Sequence, residues 1–444
     1  MANHPNSFRA RPVDGIAGTI TVPGDKSISH RALMLGAIAE GPTIIYGFLE
    51  SEDCLATQAA LEALGVRVRK SANEVRVEGV GPHGLRAPAG VLDLGNSGTA
   101  IRLLTGLLAG QPFATELTGD ASLKTRPMER VAGPLRTMGA DIATTNGTPP
   151  IKISGGATLR GIDYTLPMAS AQVKSALLLA ALGAEGVTTV RSPGPSRDHT
   201  ERMLQSMGVQ LEVAEEGAGH RVTLAGPASL RGREIGVPGD FSSAAFFIVA
   251  GCLGASDGLL IKNVGVNPTR IGLLAILREM GADIELEAQR RLGAEPVADI
   301  YVRQSPLRGV DVPPEYVPLA IDEFPILFIA AAAARGPTTV RGAEELRKKE
   351  TDRIAVMAQG LAALGVGVEE RPDGLTVTPA GKLHGGAVDS RGDHRIAMSF
   401  AVASLLAKAP IEILNTAEVA TSFPSFLDAA AAVGLEVEAS GESA

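Results

Sequence analysis

Tryptophan is absent from the 444 residues, cysteine occurs only twice, and aromatic residues make up 3% of the chain. Cys54 and Cys252, neither beside another Cys or a His, offer no disulfide framework and no zinc-ligand spacing, and such usage suits a reducing cytoplasm. The longest apolar runs, such as Ala244–Ala255, fall short of the ~18–20 residues that span a bilayer, so no membrane partner is expected. The polar stretch Met1–Val13 has no apolar centre and does not read as a secretory leader. Basic excess is missing too. With a net charge of −8 and no basic tail, the chain lacks the broad cationic surface that nucleic acid requires, and any anion site must be local. What remains is an ordinary globular composition, 45% hydrophobic and 20% charged. The length exceeds the ~250–300 residues at which single cores stop growing, which predicts two domains.

One pattern recurs along the whole chain. Leu-rich helical stretches end in a glycine and pass into alternating, β-type sequence, at Leu61–Val68, Leu135–Ile142, Leu204–Leu211, Leu277–Ile284, Leu361–Val368 and, more weakly, Ala430–Val437. The glycines, Gly65, Gly139, Gly208, Gly281, Gly365 and Gly434, stand where a helix end needs a left-handed residue. A second element precedes each of these stretches. Turns near Asp25, Gly95, Pro167, Gly239, Asp322 and Asp393 open helices that are apolar on nearly every side, for instance Ala176–Gly183 and Ile326–Ala334, and such helices are buried all round. Each repeat therefore reads as a buried helix, a strand, a second helix and a pair of strands. Val22-Pro23-Gly24-Asp25 is echoed by Val237-Pro238-Gly239-Asp240, with three repeats after each copy. This predicts two similar domains, residues 25–238 and residues 1–24 plus 239–444, with the N-terminal strand pairing into the second.

Basic residues cluster at the starts of the buried helices: Lys26 and Arg31, Arg102, Lys174 and Arg395. A helix N-terminus favours anions, by ~0.3–1 kcal/mol, so cations there call for an anionic ligand that neutralises both them and the free N–H groups. Pairing with Asp25, Asp322 and Asp393, or exposure to solvent, is the alternative. Three strings carry most of the information. They are Pro23-Gly24-Asp25-Lys26-Ser27-Ile28-Ser29-His30-Arg31, Leu94-Gly95-Asn96-Ser97-Gly98-Thr99-Ala100-Ile101-Arg102 and Glu345-Leu346-Arg347-Lys348-Lys349-Glu350-Thr351-Asp352-Arg353. Read as a helix, the third places Lys349 and Arg353 on one face, where like charges repel unless something negative lies between them. Taken alone, it reads as a solvated charge run.

In that order, these strings resemble the signatures of the 5-enolpyruvylshikimate-3-phosphate synthase family. Further matches are Leu123–Met128, Ser170-Ala171-Gln172, Ser196–His199, Ile321-Asp322-Glu323 and Asp393-His394-Arg395, so the resemblance runs from about Gly18 to Phe426. It implies an α/β (α+β) fold of two similar domains, each of three βαβαββ units in an inside-out α/β barrel, with the active site in the interdomain cleft. It also implies transfer of the enolpyruvyl group of phosphoenolpyruvate to the 5-hydroxyl of shikimate 3-phosphate, by addition and then elimination of phosphate. In the implied roles, Lys26, Asn96, Gly98, Arg126, Gln172, Arg353 and Arg395 hold phosphoenolpyruvate. Shikimate 3-phosphate falls to Lys26, Ser27, Arg31, Ser170, Ala171, Gln172, Arg197, Asp322 and Lys349. Asp322 is the implied base, and Glu350 or Lys26 the proton donor. No metal and no cofactor are implied, and the expected protein is a cytoplasmic monomer.

Some positions depart from the better-known members. Thr421 stands in place of a lysine, Glu345 in place of an amide, and Ala171 and Asp25 in place of serines, changes that with Arg197 resemble a second, more divergent class. That class includes members tolerant of the inhibitor glyphosate, some with alanine at the position of Gly98; glycine here leaves room for the inhibitor and implies sensitivity. Two rivals remain. One is the related enolpyruvyl transferase acting on UDP-N-acetylglucosamine, whose loop acid or cysteine could be matched only by Asp120 in Gly119–Pro127. The other is a non-catalytic anion-binding protein on the same scaffold.

Overall fold

A computed structural model describes residues 5–440. The chain divides into two compact units, one of residues 5–23, 238–291 and 296–440, the other of residues 24–237 with the short segment 292–295. Each has its own hydrophobic core.

In the unit built on residues 24–237, three helices are buried on nearly all sides: α1 (Lys26–Ala37), α3 (Gly98–Leu108) and α5 (Ala171–Ala181). Each is followed by a less buried helix: α2 (Glu52–Ala63), α4 (Glu129–Thr137) and α6 (His199–Ser206). The other unit repeats the scheme with buried α7 (Phe241–Gly254), α10 (Phe324–Ala333) and α12 (His394–Ala403). Its second helices are α8 (Gly272–Glu279), α11 (Arg353–Ala363) and α13 (Phe426–Ala432), and a single turn, α9 (Val317–Ala320), precedes α10. The buried helices are so apolar that only a core can hold them: in α7 every residue but Leu253 is buried, and in α10 every residue but Ala333. Fully burying one Leu, Ile or Phe side chain contributes roughly 1.5–3 kcal/mol.

Among the described residues the strands form six small sheets, and their order repeats. In the sheet Leu92–Asp93, Thr115–Thr118, Thr148–Ile153 and Ile142–Thr145, the first pair is parallel and the others antiparallel. A parallel neighbour requires a crossover connection, and the buried helix supplies it; the second helix then leads into an antiparallel hairpin. This is one βαβαββ repeat. The first strand of a repeat need not be sequential. Gly18–Thr21 pairs in parallel with Leu259–Gly265, whereas Glu234–Gly236 pairs in parallel with Ala39–Tyr46. Ser7–Ala10 pairs with both Ile411–Leu414 and Val437–Ala439, completing the last sheet. The six glycines that punctuate the sequence all have positive φ, from 89° to 104°, as their helix-ending position requires.

The two chain crossings lie at the echoed Val-Pro-Gly-Asp turns. A Cβ on Gly24 would stand 1.9 Å from the Gly47 carbonyl oxygen, and one on Gly239 would stand 2.9 Å from Val22, so both turns pack too closely for any side chain. Asp25 and Asp240 then cap α1 and α7 by accepting backbone N–H bonds.

Close approach of α3 and α5 depends on Gly106, where a Cβ would lie 2.2 Å from the Ala176 carbonyl oxygen. Gly106→Ala is therefore expected to destabilise its unit by about 1–3 kcal/mol, the usual cost of overpacking a rigid core. Chemical denaturation checks this; an unchanged midpoint would mean that the two helices can separate freely.

Candidate functional site

Five of these six buried helices start behind a side-chain cap, α10 being the exception, and none has an acidic residue in its first turn. Asp25, Asp240 and Asp393 supply three of the caps, so a carboxylate already stands at those positive dipole ends. The candidate residues lie at helix starts and in the loops beside them, in two clusters, one on each unit.

On the unit of residues 24–237, Lys26 is the first residue of α1 and its Nζ meets Asp53 Oδ2 at 2.5 Å. Ser27 follows, half-buried, with its carbonyl accepting from Arg31 Nη1 at 2.9 Å. Arg31 is buried, and it donates through Nε to Thr200 Oγ1 (2.7 Å) and through Nη2 to Ser175 Oγ (2.9 Å). Burial lowers the Arg31 pKa to about 10; Glu201 and Asp25 oppose the shift and Arg197 reinforces it. Arg31 remains a cation at neutral pH, with a second cation near it and room for an anion's charge.

Gly98 opens α3 behind the capping Ser97, which accepts from Ala100 N. A Cβ there would sit 3.0 Å from both Arg102 Nη1 and Arg126 Nη1, so the glycine lies between two guanidinium groups. Arg126 donates to Asn96 Oδ1 and to Ser122 Oγ, and Asn96 Nδ2 donates to Asp120 Oδ2 at 2.8 Å. Arg102 Nη1 reaches Gln172 Oε1 at 2.5 Å, while Gln172 Nε2 donates to Thr99 Oγ1 at 3.1 Å. Ser170 caps α5 and Ala171 and Gln172 are its first residues. Arg102 thus links Gly98 to Gln172, and Arg126 links Asn96 to the same turn, so that Arg102, named in the sequence as a basic helix start and the end of the second string, joins the candidate residues. Arg197 lies in the half-buried segment leading to α6.

Lys174 departs from the expectation that the basic helix starts await an anion. It is 0% exposed, its Nζ meets Glu201 Oε1 at 2.5 Å, and it donates to His220 Nε2 at 2.8 Å. The sequence interval hides this partner: the carboxylate arrives from α6. Lys174 is an internal ion pair and leaves no charge for a ligand.

On the other unit, Asp322 Oδ1 stands 3.4 Å from Lys349 Nζ and 3.3 Å from Arg353 Nη1. The negative group that Lys349 and Arg353 require between them is therefore Asp322. They do not share a helix face, however. Glu344–Lys348 is a 3-10 turn, Lys349 is extended, and α11 starts only at Arg353 because the Asp352 side chain caps it by accepting from Ala355 N. Lys349 also pairs with Glu345 at 2.9 Å. Arg353, expected to face a ligand, is only 1% exposed at its side chain and is held by Asp393 (2.7 Å), Glu350 (2.6 Å) and Asp322. Burial alone would lower its pKa, but Asp393, Glu350 and Asp322 outweigh it and the net shift is upward. Arg395, on the first turn of α12, donates to the Asp322 carbonyl at 3.2 Å and lies 3.6 Å from Glu323 Oε1. Thr421 is buried, its hydroxyl donating to the Glu418 carbonyl at 2.7 Å. Chemically, this cluster is a carboxylate steadied by an ammonium and a guanidinium, with a further Arg beside it.

With this geometry in view, the chain was compared with known proteins. The profile of the family described as EPSP synthase (3-phosphoshikimate 1-carboxyvinyltransferase) matches residues 10–429. A curated relative, the 3-phosphoshikimate 1-carboxyvinyltransferase of Methylococcus capsulatus, is 57% identical over 435 residues, covering 98% of each chain. The solved EPSP synthase of Acinetobacter baumannii is 51% identical with a TM-score of 0.88, covering 98% of this chain and 100% of that one. The enolpyruvyl transferase NikO of Streptomyces tendae, at 18% identity and a TM-score of 0.78 over 98% and 99% of the two chains, shares the fold.

His30, fully buried on α1, yields a pH test. Burial, Lys26 and Arg31 hold its pKa well below the usual histidine value. The folded protein keeps the ring neutral while the unfolded chain takes up a proton near pH 6.5, so stability is full above that pH and falls as pH drops below it, by up to about 1.4 kcal/mol per unit. His30→Asn should remove this share. Denaturation of both proteins from pH 7 to pH 5 checks it: the wild type should lose stability faster than the variant, and parallel profiles would exclude a buried neutral His30.

Proposed function

The chain belongs to the EPSP synthase (3-phosphoshikimate 1-carboxyvinyltransferase) family, and on that premise we propose that it transfers the enolpyruvyl group of phosphoenolpyruvate to the 5-hydroxyl of shikimate 3-phosphate. The observation that carries this reading is Asp322, a carboxylate fixed between Lys349 and Arg353. Mere anion binding would gain nothing from an acid there, because it repels the ligand. A reaction that must take a proton from an attacking hydroxyl needs one.

In the addition step the 5-hydroxyl oxygen bonds to C2 of phosphoenolpyruvate, its proton passes to Asp322, and the methylene carbon gains a proton from Lys26 or Glu350. In the elimination step the methyl group returns a proton to Lys26 or Glu350, the carbon–carbon double bond re-forms, and phosphate leaves with the proton held by Asp322. Both substrates carry phosphate and carboxylate groups, which planar guanidinium groups bind in bidentate fashion. Arg126 and Arg395 are assigned to phosphoenolpyruvate, beside Gly98, Asn96 and Gln172. Arg353 supports them as the charge that orders Asp322 and Glu350. Arg31, Arg197, Ser27, Ser170, Ala171 and Lys349 are assigned to shikimate 3-phosphate, and Lys26 to both. Positioning two substrates in reactive alignment can lower such a barrier by roughly 7–11 kcal/mol at best.

Asp120 supports this reading over a UDP-sugar acceptor. Its carboxylate is engaged by Leu123 N at 2.7 Å and by Asn96, so it serves as a loop brace rather than a loop acid facing substrate. A cytoplasmic, monomeric enzyme completes the proposal; among the described residues no helix is long and apolar enough to cross a membrane.

Phosphate release is the direct assay. It should appear with phosphoenolpyruvate and shikimate 3-phosphate and not with phosphoenolpyruvate and UDP-N-acetylglucosamine; the reverse pattern would replace the acceptor, and silence with both would leave only an anion-binding protein. Asp322→Asn keeps the shape and removes the base, so turnover should fall about 10²–10⁴-fold while substrate affinity stays within a few fold. Near-normal turnover would strip Asp322 of the base role. The absence of a side chain at Gly98 also predicts inhibition by glyphosate, and an inhibition constant in the millimolar range would contradict it.

A further inference from the structure

His30 belongs to none of the assigned contacts, yet it is the centre of a buried polar chain that joins α1 and α2 to the start of α3. Thr57 Oγ1 on α2 donates to the Asp53 carbonyl at 3.3 Å, so its oxygen accepts from His30 Nδ1 at 2.8 Å. A neutral imidazole has one N–H, and burial with Lys26 and Arg31 nearby keeps this ring neutral. With the hydrogen on Nδ1, Nε2 is an acceptor, and Ser97 Oγ stands 3.5 Å from it. Ser97 in turn accepts from Ala100 N at 3.1 Å as the cap of α3, and the next residue is Gly98. At the other end, Asp53 is the residue whose carboxylate holds Lys26. His30, Thr57 and Ser97 are each at most 1% exposed, so no solvent competes for these bonds.

We propose that His30, as the Nδ1–H tautomer, is a positioning residue that ties the Ser97 cap, and with it the Gly98 turn, to the α1–α2 pair carrying Lys26. It touches no substrate. Its effect is to fix where the first turn of α3 presents Gly98 relative to Arg102 and Arg126, which are both close enough to leave a Cβ at Gly98 only 3.0 Å of separation. The role assigned to that turn rests on the functional reading above, in which Gly98 and Arg126 hold phosphoenolpyruvate.

His30→Asn separates the two ends of the chain. The asparagine amide can still serve Thr57 from the place of Nδ1, but it cannot reach Ser97. The KM for phosphoenolpyruvate should rise roughly five- to tenfold while the KM for shikimate 3-phosphate stays within about twofold. Ser97→Ala should give the same split, at least as large because the α3 cap is lost as well, and adding His30→Asn to it should cost nothing further, because the link is already cut. Nitrogen NMR of the labelled wild-type protein at pH 7 should find the His30 hydrogen on Nδ1. A hydrogen on Nε2, an imidazolium, equal rises in both KM values, or additive single effects would each overturn the proposal. A merely structural histidine would lower the melting temperature without the KM split. If the wild type releases no phosphate from the two substrates, the functional reading fails, and the role given to His30 fails with it.

Discussion

A single guanidinium inside the core organises one of the two clusters. Arg353 is almost wholly buried, and it can be so only because three carboxylates converge on it. Removing one member of a buried ionic group costs about 3–5 kcal/mol, since the others are left uncompensated. That penalty makes the arrangement rigid. Asp393 caps α12 through Oδ1, accepting from Arg395 N and Ile396 N, while its Oδ2 takes the Arg353 Nε bond. One residue therefore fixes the direction of α12, the placement of Arg395 on its first turn and the Asp322 carboxylate. The placement of Asp322 and Arg395 and the integrity of the core rest on the same ion cluster.

The other cluster works by a different balance. Lys26 has a carboxylate partner within its unit, as does the deeply buried Lys174, and the bonds of Arg31, Arg102 and Arg126 include neutral oxygens of Ser, Thr, Asn and Gln side chains. Neutral acceptors orient a guanidinium without cancelling its charge, and the helix N-termini nearby add to the same sign. Side chains oriented in this way are ordered without a ligand. Such preorganisation lowers the cost of binding, because the side chains need not be immobilised by the ligand.

Much of the fold is written locally. A helix that must end in a left-handed residue shows its glycine, and a helix buried on all sides shows an unbroken apolar stretch, so Gly65 and Gly434 or the Phe324–Ala333 segment can be read from neighbours in sequence. The candidate site residues are legible only as strings, because motif order records chemistry that periodicity does not. What stayed hidden depends on partners far away in the chain. Arg347 to Arg353 reads as a charge run on one helix, yet Asp352 starts the helix late and Asp322 and Asp393 draw Arg353 inward. Lys174 looks like a free cation until Glu201 is brought beside it. Asn96 was read as a ligand contact, and its partners Arg126 and Asp120 come from a loop some thirty residues on.

The echoed turns show how duplication can divide labour. Both copies keep the glycine that the tight crossing demands and the aspartate that caps the next helix. After the cap they diverge: Lys26 follows in one and Phe241 in the other. Lys26 retains a charge at its helix start, partnered by Asp53. Phe241 instead goes into the core, and the polar role at that start passes to Ser242, which accepts from buried Arg270 at 2.7 Å and donates to Glu323. Glu323 adjoins Asp322 and lies 3.6 Å from Arg395. The same structural device thus presents a cation in one repeat, while in the other it braces the residues beside Asp322. Equivalent backbone constraints leave the residue after the cap free to vary, and that freedom is where two similar halves can become chemically different.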